Sequence, residues 1–123
     1  MNKVLIVEDD PFLADIYITK FTQEGFNVRI ASDGETGLQR LEEEKPEIIL
    51  LDIILPRMDG FAVLKKIKED PKFKDIPVLL LTNLGQKEEV ERGLKLGAAQ
   101  YLIKAHHSPK EVIELVKKTL EKK

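Results

Sequence analysis

The chain has no cysteine and no tryptophan, only two histidines, and aromatics at 6% of its 123 residues. Without cysteine there is no disulfide, no thiolate metal site and no cysteine nucleophile. Long apolar runs are also missing, so nothing in the sequence approaches the length of a membrane span. Met1-Asn2-Lys3 leads directly into a short strand-like run. The long apolar region and cleavage site of a secretory signal are absent, and a cytoplasmic location is expected. Charge of one sign does not dominate. The formal net charge is -2, which argues for no direct nucleic-acid partner and no membrane surface. What remains is a 42% hydrophobic, 34% charged chain of single-domain size.

Five short apolar runs alternate with amphipathic segments. Val4–Val7 is followed by Asp10-Pro11, a helix cap and first-turn proline, and Phe12, Leu13, Ile16, Tyr17 and Phe21 then recur at helical spacing to about Gln23. Asn27–Ala31 alternates polar and apolar residues, as an edge strand does, and a helix capped by Ser32 or Asp33 follows with Leu38 and Leu41 facing the core. Ile48–Leu51 is uniformly apolar, and after Asp59-Gly60 a third helix carries Phe61, Leu64 and Ile67 up to Asp70-Pro71. A strand over Ile76–Leu81, a thinly anchored helix over Lys87–Leu96 and a strand over Ala99–Ile103 come next. Ser108-Pro109-Lys110-Glu111 is a capping box that opens a last helix, ending in the solvated Glu121-Lys122-Lys123. Five strand–helix units predict an α/β fold, a doubly wound parallel sheet with helices on both faces, organised as one domain over residues 1–123.

The residue just past each strand carries the chemistry. In a parallel sheet all these ends lie on one rim, where ligands bind. Strand 1 delivers Glu8 and Asp9, strand 3 Asp52, strand 4 Thr82 and strand 5 Lys104. Taken singly, each has an ordinary explanation: Asp52 as a satisfied turn residue, Thr82 as a strand-end hydroxyl, Lys104 as one surface lysine among many. Three converging carboxylates repel one another, and one takes up a proton unless a cation intervenes. An all-oxygen set without histidine suits a hard cation, Mg²⁺ first, or Mn²⁺ in its place. Lys104 adds a second positive charge for phosphate, and Thr82 a hydroxyl. The chemistry this implies is phosphoryl transfer onto a carboxylate, giving an aspartyl phosphate. The adjacent His106-His107 cannot both point one way and are not read as a metal site.

Together, Val4-Leu5-Ile6-Val7-Glu8-Asp9-Asp10, Leu51-Asp52-Ile53-Ile54-Leu55-Pro56-Arg57-Met58-Asp59-Gly60, Leu80-Leu81-Thr82 and Tyr101-Leu102-Ile103-Lys104 resemble the receiver domain of two-component response regulators, over the whole chain. The resemblance implies a flavodoxin-like sheet of strand order 2-1-3-4-5. It implies that Asp52 accepts a phosphoryl group from a sensor histidine kinase or phosphotransfer protein. Mg²⁺ would sit on Glu8, Asp9, Asp52 and the Ile54 main-chain carbonyl, with Thr82 and Lys104 on the phosphoryl oxygens. Thr82 and Tyr101 would switch together and change partner preference at the helix 4–strand 5–helix 5 face. The partner there is a downstream protein or output domain, none being expected within this chain, and the domain would be a monomer or a phosphorylation-dependent homodimer. It would not be a metabolic enzyme, catalysing only its own phosphorylation and dephosphorylation. Ile54 and Leu84, apolar at positions that flank the site in the family, imply a long-lived acyl phosphate.

Two residues depart from the family pattern. Ala105 stands where a cis proline usually follows the lysine, and a cis bond without proline costs about 3–4 kcal/mol. A trans Lys104–Ala105 bond is therefore expected, with a displaced loop before Ser108 and a changed reach for Lys104. Asn83 stands where a small residue usually follows the threonine, and is expected to crowd the site or the path of Tyr101. The rival readings are an interaction module that is never phosphorylated, a small metal-dependent phosphatase and a flavin-binding module.

Overall fold

A computed structural model describes residues 2–121; Met1, Lys122 and Lys123 of the reading above lie outside the described residues. The order is β1 (Lys3–Val7), α1 (Pro11–Gln23), β2 (Asn27–Ala31), α2 (Gly34–Glu43), β3 (Ile48–Leu51), α3 (Gly60–Glu69), β4 (Val78–Thr82), α4 (Lys87–Lys95), β5 (Gln100–Ile103) and α5 (Pro109–Glu121). A single turn of 3₁₀-helix over Lys104–His106 joins β5 to α5. The strands form one parallel sheet of order β2-β1-β3-β4-β5, as the resemblance implied.

Strand periodicity divides the sheet into two cores. Val4, Ile6, Ile48, Leu50, Leu79, Leu81 and Leu102 point to one face and meet Tyr17 and Phe21 of α1 and Val112, Ile113 and Val116 of α5. Leu5, Val7, Ile49, Leu51, Val78 and Leu80 point to the other face, against Leu41 of α2 and Phe61, Val63, Leu64 and Ile67 of α3. A strand covered on both faces must be apolar throughout, which is why β3 and β4 carry no alternation. Side-chain caps fix where α1, α2 and α3 begin. Asp10 accepts from the Phe12 and Leu13 N–H groups, Asp33 from Thr36, and Asp59 from Ala62. Ser108 and Glu111 bond reciprocally at the start of α5, completing the capping box.

Three expectations change. Helix α1 does not bury all its apolar residues: Ala14, Tyr17 and Phe21 are buried, whereas Phe12 is 80% and Ile16 43% exposed. At 100° per residue the five apolar positions cover more than one face, and only one face can meet the sheet. Strand β4 starts at Val78, since Pro77 has no N–H to give the ladder, although its carbonyl accepts from Ile49. Helix α4 is anchored even more thinly than its sequence suggests, with Gly93 its one buried residue and Leu94 exposed. Gly93 lies so close to the sheet that an added Cβ would come within 2.6 Å of Leu80 and 2.9 Å of Tyr101. No helix among the described residues is long and apolar enough to cross a membrane.

The two phenylalanines of α1 separate burial from composition. Phe21→Ala is expected to cost about 3–5 kcal/mol, and Phe12→Ala to stay within about 0.5 kcal/mol of the parent, as measured by urea unfolding.

Candidate functional site

The carboxyl ends of β1, β3, β4 and β5 bring the rim residues together. Asp52 and Glu8 are about 95% buried, Thr82 is fully buried, and Asp9 is exposed. Carboxylate oxygens of Glu8, Asp9 and Asp52 all lie within 4.8 Å of one another. Between the two buried acids stands the Lys104 ammonium, 2.6 Å from Glu8 Oε1 and 2.7 Å from Asp52 Oδ2. Lys104 therefore keeps its reach. The Lys104–Ala105 bond is trans, as expected: no peptide bond among the described residues is cis. The chain leaves β5 through the single 3₁₀ turn over Lys104–His106.

Main-chain donors complete the cage. The Ile53 and Ile54 N–H groups donate to Asp52 Oδ1 at 2.7 and 3.3 Å, and the Asp10 N–H donates to Glu8 Oε2 at 3.0 Å. No buried side-chain nitrogen or oxygen among the described residues lacks a partner. Gly60, the first residue of α3, also packs closely against the end of β3. Its N–H donates to the Ile53 carbonyl, and a Cβ there would meet the Asp52 carbonyl at 2.2 Å. The loop between also holds Arg57 at φ +69, inside a turn closed by the Met58 N–H on the Pro56 carbonyl. A left-handed residue with a side chain is strained by roughly 1–2 kcal/mol, which the surrounding contacts sustain.

Charge and burial compete here. Burial pushes the Glu8 carboxyl above its ordinary value, and the hydrogen bonds from Lys104 and Asp10 only partly oppose this. Burial also works against the ammonium of Lys104, but its bonds to Asp52 and Glu8 outweigh that and raise its pKa. Lys104 is thus the internal cation that three converging carboxylates require. The donor set is nonetheless all oxygen, negative and open on the side of exposed Asp9, and it fits a hard divalent cation.

Thr82 and Tyr101 are joined through the main chain of Leu84. The Leu84 N–H donates to Thr82 Oγ1 at 3.4 Å, and the Tyr101 hydroxyl donates to the Leu84 carbonyl at 2.5 Å. Sequence reasoning missed this link because Leu84 supplies only backbone groups. The Asn83 side chain accepts the Ala105 N–H at 3.2 Å. Ile54 stands 58% exposed beside Asp52, whereas the Leu84 side chain packs against the core. His106 and His107 take no part in the acidic cluster.

A family model of the response regulator receiver domain matches residues 4–117. The alkaline phosphatase synthesis transcriptional regulatory protein PhoP of Bacillus subtilis is 36% identical over 98% of this chain and 49% of its own length. The chain spans about half the length, or slightly less, of the curated relatives it matches. A CheY-like receiver domain protein of Methanospirillum hungatei superposes with a TM-score of 0.92 at 29% identity, covering 99% of this chain and 95% of that one. The Mn²⁺-bound form of response regulator Rcp1 superposes at 0.83 with 28% identity, covering 94% and 89%.

Lys104 bonds the same two carboxylates that would hold a metal, so Lys104→Met is expected to bind Mg²⁺ about three- to tenfold more tightly at alkaline pH, where the carboxyl that burial pushes upward is ionised. The same variant should lose stability without metal and regain much of it with Mg²⁺. Calorimetric titration and thermal melts check the pair of effects.

Proposed function

The chain belongs to the receiver-domain family of response regulators, and from that premise we propose that Asp52 is its phosphoacceptor in a two-component phosphorelay. The observation that carries this reading is the Lys104 ammonium held between Glu8 and Asp52 at the sheet's rim. Both Asp52 oxygens are engaged, Oδ1 by two N–H groups and Oδ2 by Lys104, so the carboxylate is fixed in orientation before a donor arrives.

An Asp52 oxygen forms the new bond to phosphorus as the P–N bond of a phosphohistidine breaks. The electron pair returns to the donor imidazole, which takes a proton from solvent. Glu8, Asp9 and Asp52, with the Ile54 carbonyl, would hold Mg²⁺, or Mn²⁺ in its place. Bound there, the ion would neutralise charge between the nucleophile and the incoming phosphate. Lys104 then leaves its carboxylates for a phosphoryl oxygen, and the Thr82 hydroxyl donates to another. As Thr82 turns, the Leu84 main chain passes the change to Tyr101, and the surface of α4, β5 and α5 shifts its partner preference. The thin anchoring of α4 keeps that surface easy to rearrange.

Partners follow from the same reading. A histidine kinase or phosphotransfer protein would dock at the rim, with exposed Phe12, Ile16 and Ile54 as apolar contacts. The residues present fold as one domain, and the receiver of the switched state is a downstream protein or an output domain. The site has no group beside Asp52 at position 54 able to orient water, so hydrolysis of the acyl phosphate should be slow.

Intact-mass spectrometry with acetyl phosphate tests the assignment. A gain of one phosphoryl group is expected with Mg²⁺ and not without it, and not in Asp52→Asn; a gain that persists in Asp52→Asn would overturn it. Hydrolysis after donor removal tests the tuning residues. Ile54→Asn should shorten the acyl phosphate's lifetime several-fold, and Leu84→Asn should have the smaller effect because that side chain packs inward.

A further inference from the structure

The two residues that depart from the family pattern meet in space. Asn83 directly follows Thr82, and Ala105 directly follows Lys104. They lie 22 residues apart in the chain, yet Asn83 Oδ1 accepts the Ala105 N–H at 3.2 Å. The last ladder pair between β4 and β5 is Thr82 with Ile103. Lys104 therefore begins beyond the sheet, where the ladder no longer fixes its backbone. Its own carbonyl has one weak contact there, with the His107 N–H at 3.4 Å. The N–H that Asn83 holds belongs to the Lys104–Ala105 peptide unit. Fixing that plane fixes ψ of Lys104, and with it the direction from which the ammonium reaches Asp52. The two loops also approach nearby, since a Cβ on Gly85 would lie 3.4 Å from Ile103 Cδ1.

We propose that Asn83 is a positioning residue for Lys104: its side-chain carbonyl clasps the Ala105 N–H and ties the loop bearing Thr82 to the loop bearing Lys104. The clasp rests on the phosphoacceptor reading above, and it serves that reading by holding the two phosphoryl-binding groups in register. It also explains why the chain manages with alanine at position 105. A proline there has no N–H to offer, whereas the trans Lys104–Ala105 unit does, and Asn83 is placed to take it. Both residues are exposed, so water competes for the bond and its effect is modest, about threefold on a rate.

A double-mutant cycle in the full chain tests this, with acetyl phosphate and saturating Mg²⁺. The variants are Asn83→Ala, Ala105→Pro and the two combined, and the readouts are the phosphorylation rate by intact mass and the Mg²⁺ affinity. Asn83→Ala should slow phosphorylation about threefold and, by loosening Lys104 from its carboxylates, tighten Mg²⁺ binding by no more than about twofold, less than Lys104→Met does. In the Ala105→Pro background the same substitution should have no effect, because the donor is already gone. A second measurement needs no proline variant: amide exchange at Ala105 should quicken several-fold in Asn83→Ala. If Asn83→Ala matches the wild-type rate, or slows it equally in both backgrounds, or leaves Ala105 exchange unchanged, the clasp is overturned while the phosphoacceptor reading stands. A wild-type chain that takes no phosphoryl group overturns that reading and the clasp with it.

Discussion

One ammonium between two buried carboxylates is the constraint on which the site depends. Glu8 and Asp52 end neighbouring strands whose interiors are apolar on both faces. Two such acids cannot both stay charged side by side without a counter-charge. Lys104 supplies it from the end of β5, two strands from Asp52 and three from Glu8, and in doing so ties β5 to the centre of the sheet. Under the function proposed above, the arrangement holds a latent exchange. A divalent cation would take over the carboxylates from the ammonium, and a phosphoryl group would give the released ammonium a new acceptor. The same side chain would then stabilise the resting site and respond to its occupation.

The rest of the rim gives that exchange a consequence. Leu84 contributes one peptide's worth of polar groups, an N–H to Thr82 and a carbonyl to Tyr101, and so couples a buried hydroxyl to a half-exposed ring. Gly93 leaves room for that ring beneath α4, the α-helix with the fewest buried residues. Few buried contacts resist movement there, in contrast with the doubly covered β3 and β4.

How much of this was visible beforehand depends on the distance over which each feature acts. The capped helix starts at Asp10 and Ser108 were legible, and those at Asp33 and Asp59 to within a residue, because a cap and a periodicity act within a few residues. The convergence of Glu8, Asp9, Asp52, Thr82 and Lys104 was legible too, since parallel strands leave only one rim for their ends. The outward turn of Phe12 and Ile16 was not. Helical spacing says which residues share a face, and the packing of α1 on the sheet decides which face is covered.

The amino-acid sequence by itself determined the alternation of strands and helices, the single acidic rim and the hard-cation character of its donors, because these follow from local pattern and residue chemistry. Tertiary structure alone decided that Lys104 bridges Glu8 and Asp52 through a trans-linked turn, that Leu84 joins Thr82 to Tyr101, and that Asn83 finds Ala105. Apart from the local Leu84–Thr82 bond, each of these joins residues far apart in the chain. No periodicity or spacing encodes such a bond, which exists only once the sheet has set the loops side by side.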